Sequence, residues 1–232
     1  FSLMQENDGW VVKGHQLSLS NPDLIIEPEF KLNLQTSELS IVSDIELIEL
    51  KNAHIYYPQM MGDNTRDYLT AAIKDGIVNK ATVVWQGKGA DFPFADGSGM
   101  FQAEVQLKNM TFKFDPEWPA LTELDLSLLF QNNDLFMTSS SGNIGDVPVQ
   151  NIRASIPNLS DADRLFIDAQ TKANGPELTQ LMLSSPLSAS VGKALDEVNI
   201  TGALDSKLSL NIPLSKGEVV AKGAVTFNNN AL

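Results

Sequence analysis

The sequence predicts a mainly β protein, and two observations carry that prediction. Residues 101–130 alternate apolar and polar side chains with two breaks, and such alternation gives a strand one apolar and one polar face. Turn-forming Gly, Asn, Pro, Asp and Ser separate similar short runs along most of the remaining chain, as an up-and-down antiparallel sheet requires. We therefore expect an antiparallel sheet with one wholly apolar face.

The predicted strands fall into three groups. The first occupies residues 10–57 and closes with a strand through Ala53, Ile55 and Tyr57. The second runs over 81–169 and the third over 200–227. Each group is a series of short segments with period-two alternation, which is typical of strands buried on one face.

Two details inside the second group predict local geometry. At Lys108-Asn109 the alternation changes phase, and Met110, Phe112 and Phe114 continue on the other parity. A β-bulge at this point would keep the apolar set on one side of the sheet. The sequence 132–134, Asn-Asn-Asp, predicts a hairpin tip.

Two segments are predicted to be helical. In the first, residues 64–76, Asn64 or Thr65 can cap the first turn and Gly76 suits a left-handed end. In the second, residues 176–195, Pro176 fits a first turn and Pro186 restarts or kinks the helix. We expect both segments to cap or flank the sheet.

An internal repeat is visible in the strands. Residues 50–58 and 107–114 share a Leu-Lys-Asn phase break, an alternating run and a following loop. Repetition of a strand–bulge–strand unit favours a sheet extended by stacking similar modules. We expect one continuous unit over 1–232, with sub-units 1–63, 64–175 and 176–232.

Composition excludes several classes of function. The 232 residues carry a net charge of −13, which argues against nucleic acid and against docking flat on an anionic membrane. The absence of Cys excludes disulfides and thiolate metal sites. Because the chain opens at Phe1 without an initiator Met, we expect a piece of a longer protein.

No catalytic constellation stands out in the sequence. His15 and His54 lack partners at metal-ligand spacing, the acidic residues are scattered singly, and no nucleophile-elbow motif occurs. We therefore expect neither an enzyme nor a bound cofactor or metal.

What covers the apolar face decides the function, and periodicity leaves two alternatives open. A second sheet or a helix could pack on it and make an ordinary core. An apolar ligand could instead lie in an open or half-closed sheet. The first alternative predicts a closed β-sandwich scaffold or adhesion module that binds a protein or glycan through its loops.

The aromatic, Pro and Gly spacing within 66–160 resembles the central region of YhdP-type proteins of the AsmA-like group, which includes TamB. The residues that carry the resemblance are Val84-Trp85-Gln86-Gly87, Phe92-Pro93-Phe94, Gly97-x-Gly99-x-Phe101-Gln102-Ala103 and Phe112-x-Phe114-Asp115-Pro116-x-Trp118-Pro119-x-Leu121.

This resemblance implies a long curved antiparallel sheet that forms a groove or half-barrel of repeated β units. It implies a periplasmic section of a long Gram-negative envelope protein, anchored in the inner membrane and reaching towards the outer membrane through regions absent here. Like the eukaryotic bridge-like lipid-transfer proteins, such a sheet would hold phospholipid acyl chains inside, and we expect a monomer.

The residues expected to line this lipid groove alternate along the predicted strands. They are Val105, Leu107, Phe112, Phe114, Leu124, Leu126, Leu128 and Phe130, with Ile55, Tyr57, Val83, Leu135, Met137, Ile167, Leu208 and Leu210 as extensions.

Overall fold

The chain folds into a single open antiparallel sheet, which confirms the predicted fold class. The computed structural model describes residues 1–6, 9–47, 50–57, 62–189 and 202–227. The strands in these ranges are β1 Ser2–Glu6, β2 Gly9–Gly14, β3 Leu19–Ser20, β4 Leu24–Asn33, β5 Glu38–Leu47, β6 Ile73–Lys88, β7 Met100–Phe112, β8 Leu121–Gln131, β9 Asp134–Ile144, β10 Val147–Ile156, β11 Arg164–Asn174, β12 Ala203–Pro213 and β13 Val220–Phe227. They pair in chain order from β1 to β13, except that β3 pairs only with β4. Because β1 and β13 do not pair, the sheet stays open. All strands in the described ranges belong to this one sheet, so no second sheet packs on it there.

One face of the sheet carries an unbroken row of apolar side chains, which we call the long row. Every neighbouring pair in it is a direct cross-strand partner. Its members, from β4 to β13, are Ile26, Ile45, Ala81, Val105, Leu128, Met137, Ala154, Ile167, Leu210 and Ala221. With strands about 4.8 Å apart, the nine steps span about 43 Å. We call the face that bears this row the apolar face.

The predicted bulge lies where the phase break indicated. The pairing of β7 with β8 slips between Leu107 and Met110, and Asn109 takes a left-handed φ of 49°. Asn tolerates this conformation better than most residues, and a bulge bends and twists its strand. Leu107 and Met110 are therefore both buried on the apolar face despite their odd spacing. The hairpin at Asn132-Asn133 is also confirmed, since β8 ends at Gln131 and β9 starts at Asp134.

Two α-helices pack on the apolar face. Helix α1, Asp63–Ala72, buries Leu69 and Ala72 against it. Helix α2, Gly175–Leu183, buries Leu178, Leu181 and Met182. The covered part of the face, from β7 to β12, forms one hydrophobic core with these side chains.

Both helices differ from the prediction at their ends. Helix α1 stops at Ala72 because residues 73–76 enter β6, where Ile73 pairs with Phe112. Its N-cap is Gly62, and the predicted cap Thr65 is instead buried within the first turns. Helix α2 has Pro176 in its first turn as expected, and Asn174 and Glu177 form a capping box. It ends before Pro186, and residues 190–195 of the predicted segment lie outside the described ranges.

The predicted strand at residues 53–57 is wrong. Residues Leu50–Tyr56 form a 3-10 helix, whereas the matching residues 107–112 lie in β7. The two segments therefore share a sequence pattern but not a structure. Hydrogen bonds to the turn before β4 hold the 3-10 helix: Asn52 Nδ2 donates to Asp23 Oδ1 at 2.7 Å, and Tyr56 Oη donates to Asp23 Oδ2 at 2.9 Å. These tertiary contacts override a local pattern that suits a strand.

Strands from all three predicted sub-units, 1–63, 64–175 and 176–232, belong to the same sheet. The division into sub-units stays a prediction.

Candidate functional site: the apolar face

The apolar face has three sections that differ in what lies over them. From β4 to β6 it forms an open section. From β7 to β9 helix α1 lies across it. From β10 to β13 helix α2 roofs a cavity.

In the open section most apolar side chains are half-buried, whereas Leu24 and Ala81 are buried. The half-buried side chains include Ile26, Phe30, Leu32, Leu39, Ile41, Ile45 and Val83. Among the described residues, none of these side chains joins the buried core formed with the helices. An apolar patch of this size is unusual for a face that only solvent covers.

Helix α1 crosses the face diagonally and is held at both ends. At its start, Gly62 N donates to Leu159 O at 3.1 Å and Thr65 Oγ1 donates to the same oxygen at 3.3 Å, just after β10. At its end, Lys113 N donates to Ala72 O at 2.8 Å, just after β7. The helix therefore lies over β7–β9 and reaches the connection that follows β10. A small gap of about 30 Å³ remains between Leu69 and the sheet.

Helix α2 roofs a cavity of about 210 Å³ over β10–β13. Its roof consists of Leu178, Leu181, Met182 and Leu187, and the long row supplies part of the floor through Ile167, Leu210 and Ala221.

Tyr57 and Tyr68 have the largest pKa shifts near the apolar face. Burial raises the pKa of Tyr57 to about 12. Burial, with a smaller contribution from the Asp115 carboxylate, raises the pKa of Tyr68 further. Tyr68 Oη donates to Phe114 O at 2.9 Å, which adds a contact between α1 and the end of β7. Both phenols therefore stay protonated at neutral pH.

The outer face of the sheet is polar beneath the open section. The row behind Ile26 and Ile45 contains Glu27, Asp44 and Glu104. This face holds a small ion-pair cluster, in which Glu6 contacts Lys13 at 2.9 Å and Lys31 at 2.8 Å.

Aromatic side chains close one edge of the open section at the β6–β7 loop. Trp85 stacks on Phe92 with centroids 5.7 Å apart and meets Phe94 edge-on at 5.1 Å. Phe101 completes the cluster at 5.8 Å from Trp85. Trp85 pairs directly with Ile41, so the indole borders the apolar face.

Most of the residues predicted for the groove lie on the apolar face. Those buried beneath or beside the helices are Leu107, Phe112, Phe114, Leu124, Leu126, Leu135, Met137, Ile167 and Leu210. Those half-buried are Val83, Val105, Leu128, Phe130 and Leu208. Phe114 lies beyond the end of β7, which stops at Phe112, and still reaches the α2 cavity.

Two predicted residues lie outside the strands: Ile55 belongs to the 3-10 helix Leu50–Tyr56, and Tyr57 follows it directly. Ile55 is 61% exposed on the 3-10 helix and is not part of the sheet. Tyr57 lies beside the small gap under α1, next to Leu69 and Ile73.

Of the open section, sequence reasoning placed only Val83 in the site. Ile26, Ile41 and Ile45 show the same alternation that selected residues 101–130, and this signal was sufficient to find them. The helices that cover the middle of the face have no such local signal, because their position depends on contacts such as the one between Gly62 and Leu159.

Within the described residues, no helix is long and apolar enough to cross a membrane. In the same part of the chain, no three His, Asp or Glu side chains form a group that could hold a metal ion.

The fold and the site define a class of protein: an open antiparallel sheet with a continuous apolar face that helices cover in part. The family model described as YhdP protein matches residues 1–232, and the chain belongs to this family. The intermembrane phospholipid transporter YhdP of Escherichia coli (strain K12) is 34% identical over 235 residues, which cover 100% of this chain and 18% of the relative. The chain thus spans less than a fifth of that relative's length. No solved structure matches the chain.

Proposed function

We propose that this chain is one section of a conduit that shields the acyl tails of phospholipids between two membranes. The long row carries this proposal, because it gives one continuous apolar path across ten strands of an open sheet. The relative named as an intermembrane phospholipid transporter supports phospholipid as the cargo.

Hydrocarbon burial explains why the face would retain a lipid. Each CH₂ group removed from water contributes about 0.8 kcal/mol, so partial contact along one tail gives useful affinity. The members of the long row are all apolar and none is aromatic, so a tail displaced by one strand meets similar contacts. Similar contacts at each step imply low barriers, which favours sliding along the row.

The charge distribution suits a conduit in water. The net charge of −13 and the acidic row formed by Glu27, Asp44 and Glu104 keep the outer face hydrated. An acidic exterior also disfavours adsorption to anionic membrane surfaces. The headgroup stays in water at the strand ends while the tails lie on the face.

Helix α1 obstructs the path in this arrangement. A tail can pass from the open section to the α2 cavity only when α1 lifts from Met110, Leu126 and Met137. The helix has no side-chain N-cap bond and few hydrogen bonds to the sheet, so lifting costs less than unfolding a strand. We assign α1 the role of a movable segment.

The residues proposed to contact lipid include the predicted set without Ile55, which is exposed on the 3-10 helix, together with residues of the open section. They are Ile26, Ile41, Ile45, Tyr57, Val83, Val105, Leu107, Phe112, Phe114, Leu124, Leu126, Leu128, Phe130, Leu135, Met137, Ile167, Leu208 and Leu210.

For the longer protein we propose a periplasmic body, an inner-membrane anchor and contacts to both membranes through other regions. We further propose that this section acts as a monomer and carries no catalytic step, since its site is built from hydrocarbon side chains.

Tryptophan quenching tests the proposal directly. The chain contains three Trp, and the double variant Trp10→Phe, Trp118→Phe leaves Trp85 beside the open section. Phosphatidylglycerol with brominated tails should quench Trp85 emission, whereas the unbrominated lipid should not. Unchanged Trp85 emission with both lipids would contradict the proposal.

A further inference from the structure

The cavity under α2 differs from the rest of the apolar face because it is roofed. Leu178, Leu181 and Met182 close it from above, while Val149, Ile152 and Ile167 line its floor. Its volume of about 210 Å³ is below the range of about 300–1,000 Å³ usual for sites that enclose a drug-sized ligand. The space suits a segment of one hydrocarbon chain.

Small residues create this space and leave it accessible from β13. Ala169 on β11 and Ala221 and Gly223 on β13 all line the cavity where larger side chains would fill it. Gly223 is the cross-strand partner of Leu208, so any side chain at 223 would point to the apolar face. A Cβ there would meet only Lys207 O, at 3.5 Å, which is an ordinary contact.

A pair of hydroxyl groups interrupts the apolar lining. Thr171 and Ser206 are cross-strand partners, and their Oγ1 and Oγ atoms lie 2.6 Å apart. Two hydroxyls carry two donor hydrogens, and their mutual bond uses one. Among the described residues neither hydroxyl has another hydrogen-bond partner, so one donor is left at the wall of a cavity whose lining is apolar except for this pair, Lys207 and Lys222.

We infer that this cavity is a specific holding site for one acyl chain, with the chain's carbonyl oxygen bound by the Thr171–Ser206 pair. The inference rests on the proposed function and goes beyond it, because a sliding path of similar contacts has no preferred position. The unused hydroxyl hydrogen donates to the ester or carboxylate oxygen, and the first methylenes of the chain lie beneath α2. The ligand chemistry is an acyl group, from a phospholipid or a free fatty acid.

Trp118 provides a reporter for this site. Its ring lies 5.9 Å from that of Phe114, which lines the cavity. In the variant Trp10→Phe, Trp85→Phe the remaining emission comes from Trp118. We expect a brominated fatty acid and a brominated-tail phosphatidylcholine each to quench it if the site accepts both sources. Quenching by one alone identifies the source.

Two substitutions separate this site from the path in general. Gly223→Leu fills the cavity mouth and should abolish Trp118 quenching, while Gly223→Ala, which adds only a Cβ, should preserve it. In the Trp85-only background Gly223→Leu should leave quenching unchanged. Quenching of Trp85 without quenching of Trp118 overturns the holding site but not the proposed function. If neither Trp is quenched in the two single-Trp chains that keep Gly223, both the holding site and the proposed function are overturned.

The carbonyl contact has its own test. Thr171→Val with Ser206→Ala removes both hydroxyls, so no unpaired partner is left buried. One hydrogen bond contributes a factor of about three to ten in affinity. The double variant should therefore bind brominated fatty acid about three- to tenfold more weakly and a brominated alkane equally well. Equal affinities for the acid in parent and variant overturn the hydroxyl assignment.

Discussion

The backbone N–H of Gly62 donates a hydrogen bond to the carbonyl oxygen of Leu159 at 3.1 Å, which ties the start of α1 to the connection after β10. At the end of the same helix, the carbonyl oxygen of Ala72 accepts a hydrogen bond from the backbone N–H of Lys113, just after β7. A helix held at both sides divides the apolar face into an open section and the roofed α2 cavity. In the proposed function, its contacts therefore set how much of the long row is open to a lipid.

Weakening the packing of α1 on the sheet should increase lipid binding. Leu69→Ala removes a side chain buried between α1 and the sheet, and such truncations cost about 2–5 kcal/mol. We expect faster amide hydrogen exchange across residues 63–72 and a higher lipid stoichiometry by native mass spectrometry. Thr70→Ala, at an exposed position of the same helix, is the control. Faster exchange without added lipid binding would show that α1 is no obstruction.

The two faces of β9 should respond very differently to truncation. Leu135 is fully buried on the apolar face, whereas its neighbour Phe136 is 41% exposed on the outer face. Leu135→Ala should lower the free energy of unfolding by about 2–5 kcal/mol, because it leaves a cavity in the core. Phe136→Ala should cost less than about 1 kcal/mol. Urea denaturation measures both, and equal losses would contradict the assignment of faces.

The capping box of α2 should contribute measurably to the roof of the cavity. Asn174 Oδ1 accepts from Glu177 N at 2.9 Å, and Glu177 Oε2 accepts from Asn174 N at 3.2 Å. Asn174→Ala should destabilise the helix by about 1 kcal/mol. Hydrogen exchange over 175–183 should rise, and Lys172→Ala, at an exposed position of β11, should leave it unchanged. An unaltered exchange pattern in the cap variant would mean that packing alone holds α2.

Alkaline pH should destabilise the fold through its buried phenols. The pKa of Tyr57 is about 12 in the folded chain and about 10 when unfolded, so the folded state holds the proton more tightly. This contribution is complete below about pH 10 and is lost as the pH rises towards 12. Tyr57→Phe should therefore lose less stability than the parent between pH 9 and about 11.5, as measured by urea titration at each pH. Parallel losses in the two chains would contradict the burial of Tyr57.

Local patterns predicted the sheet because the alternation within each strand shows which of its side chains share a face. The alternation in residues 101–130 indicated the apolar face, and the phase break at Lys108-Asn109 located the bulge to the residue. The hairpin at 132–134 followed from its turn residues. These features depend on neighbours in sequence, so sequence alone was sufficient.

Features that depend on distant contacts escaped prediction. The 3-10 helix Leu50–Tyr56 follows from hydrogen bonds to Asp23, and the end of α1 follows from the pairing of Ile73 with Phe112. The unbroken register of the long row needs nine strand pairings to be known together. The α2 cavity depends on small residues, Ala169 and Gly223, that carry no signal until their neighbours are placed.

Neighbouring residues of β5 test most directly whether lipid tails lie on one face of the open sheet. Ile41 faces the apolar side and pairs with Trp85, whereas Val42 is 52% exposed on the outer face. Native mass spectrometry of Ile41→Asp and Val42→Asp, each mixed with phosphatidylglycerol, measures how much lipid remains bound. We expect a loss of bound lipid for Ile41→Asp and parental binding for Val42→Asp. Equal binding by both variants would contradict this expectation.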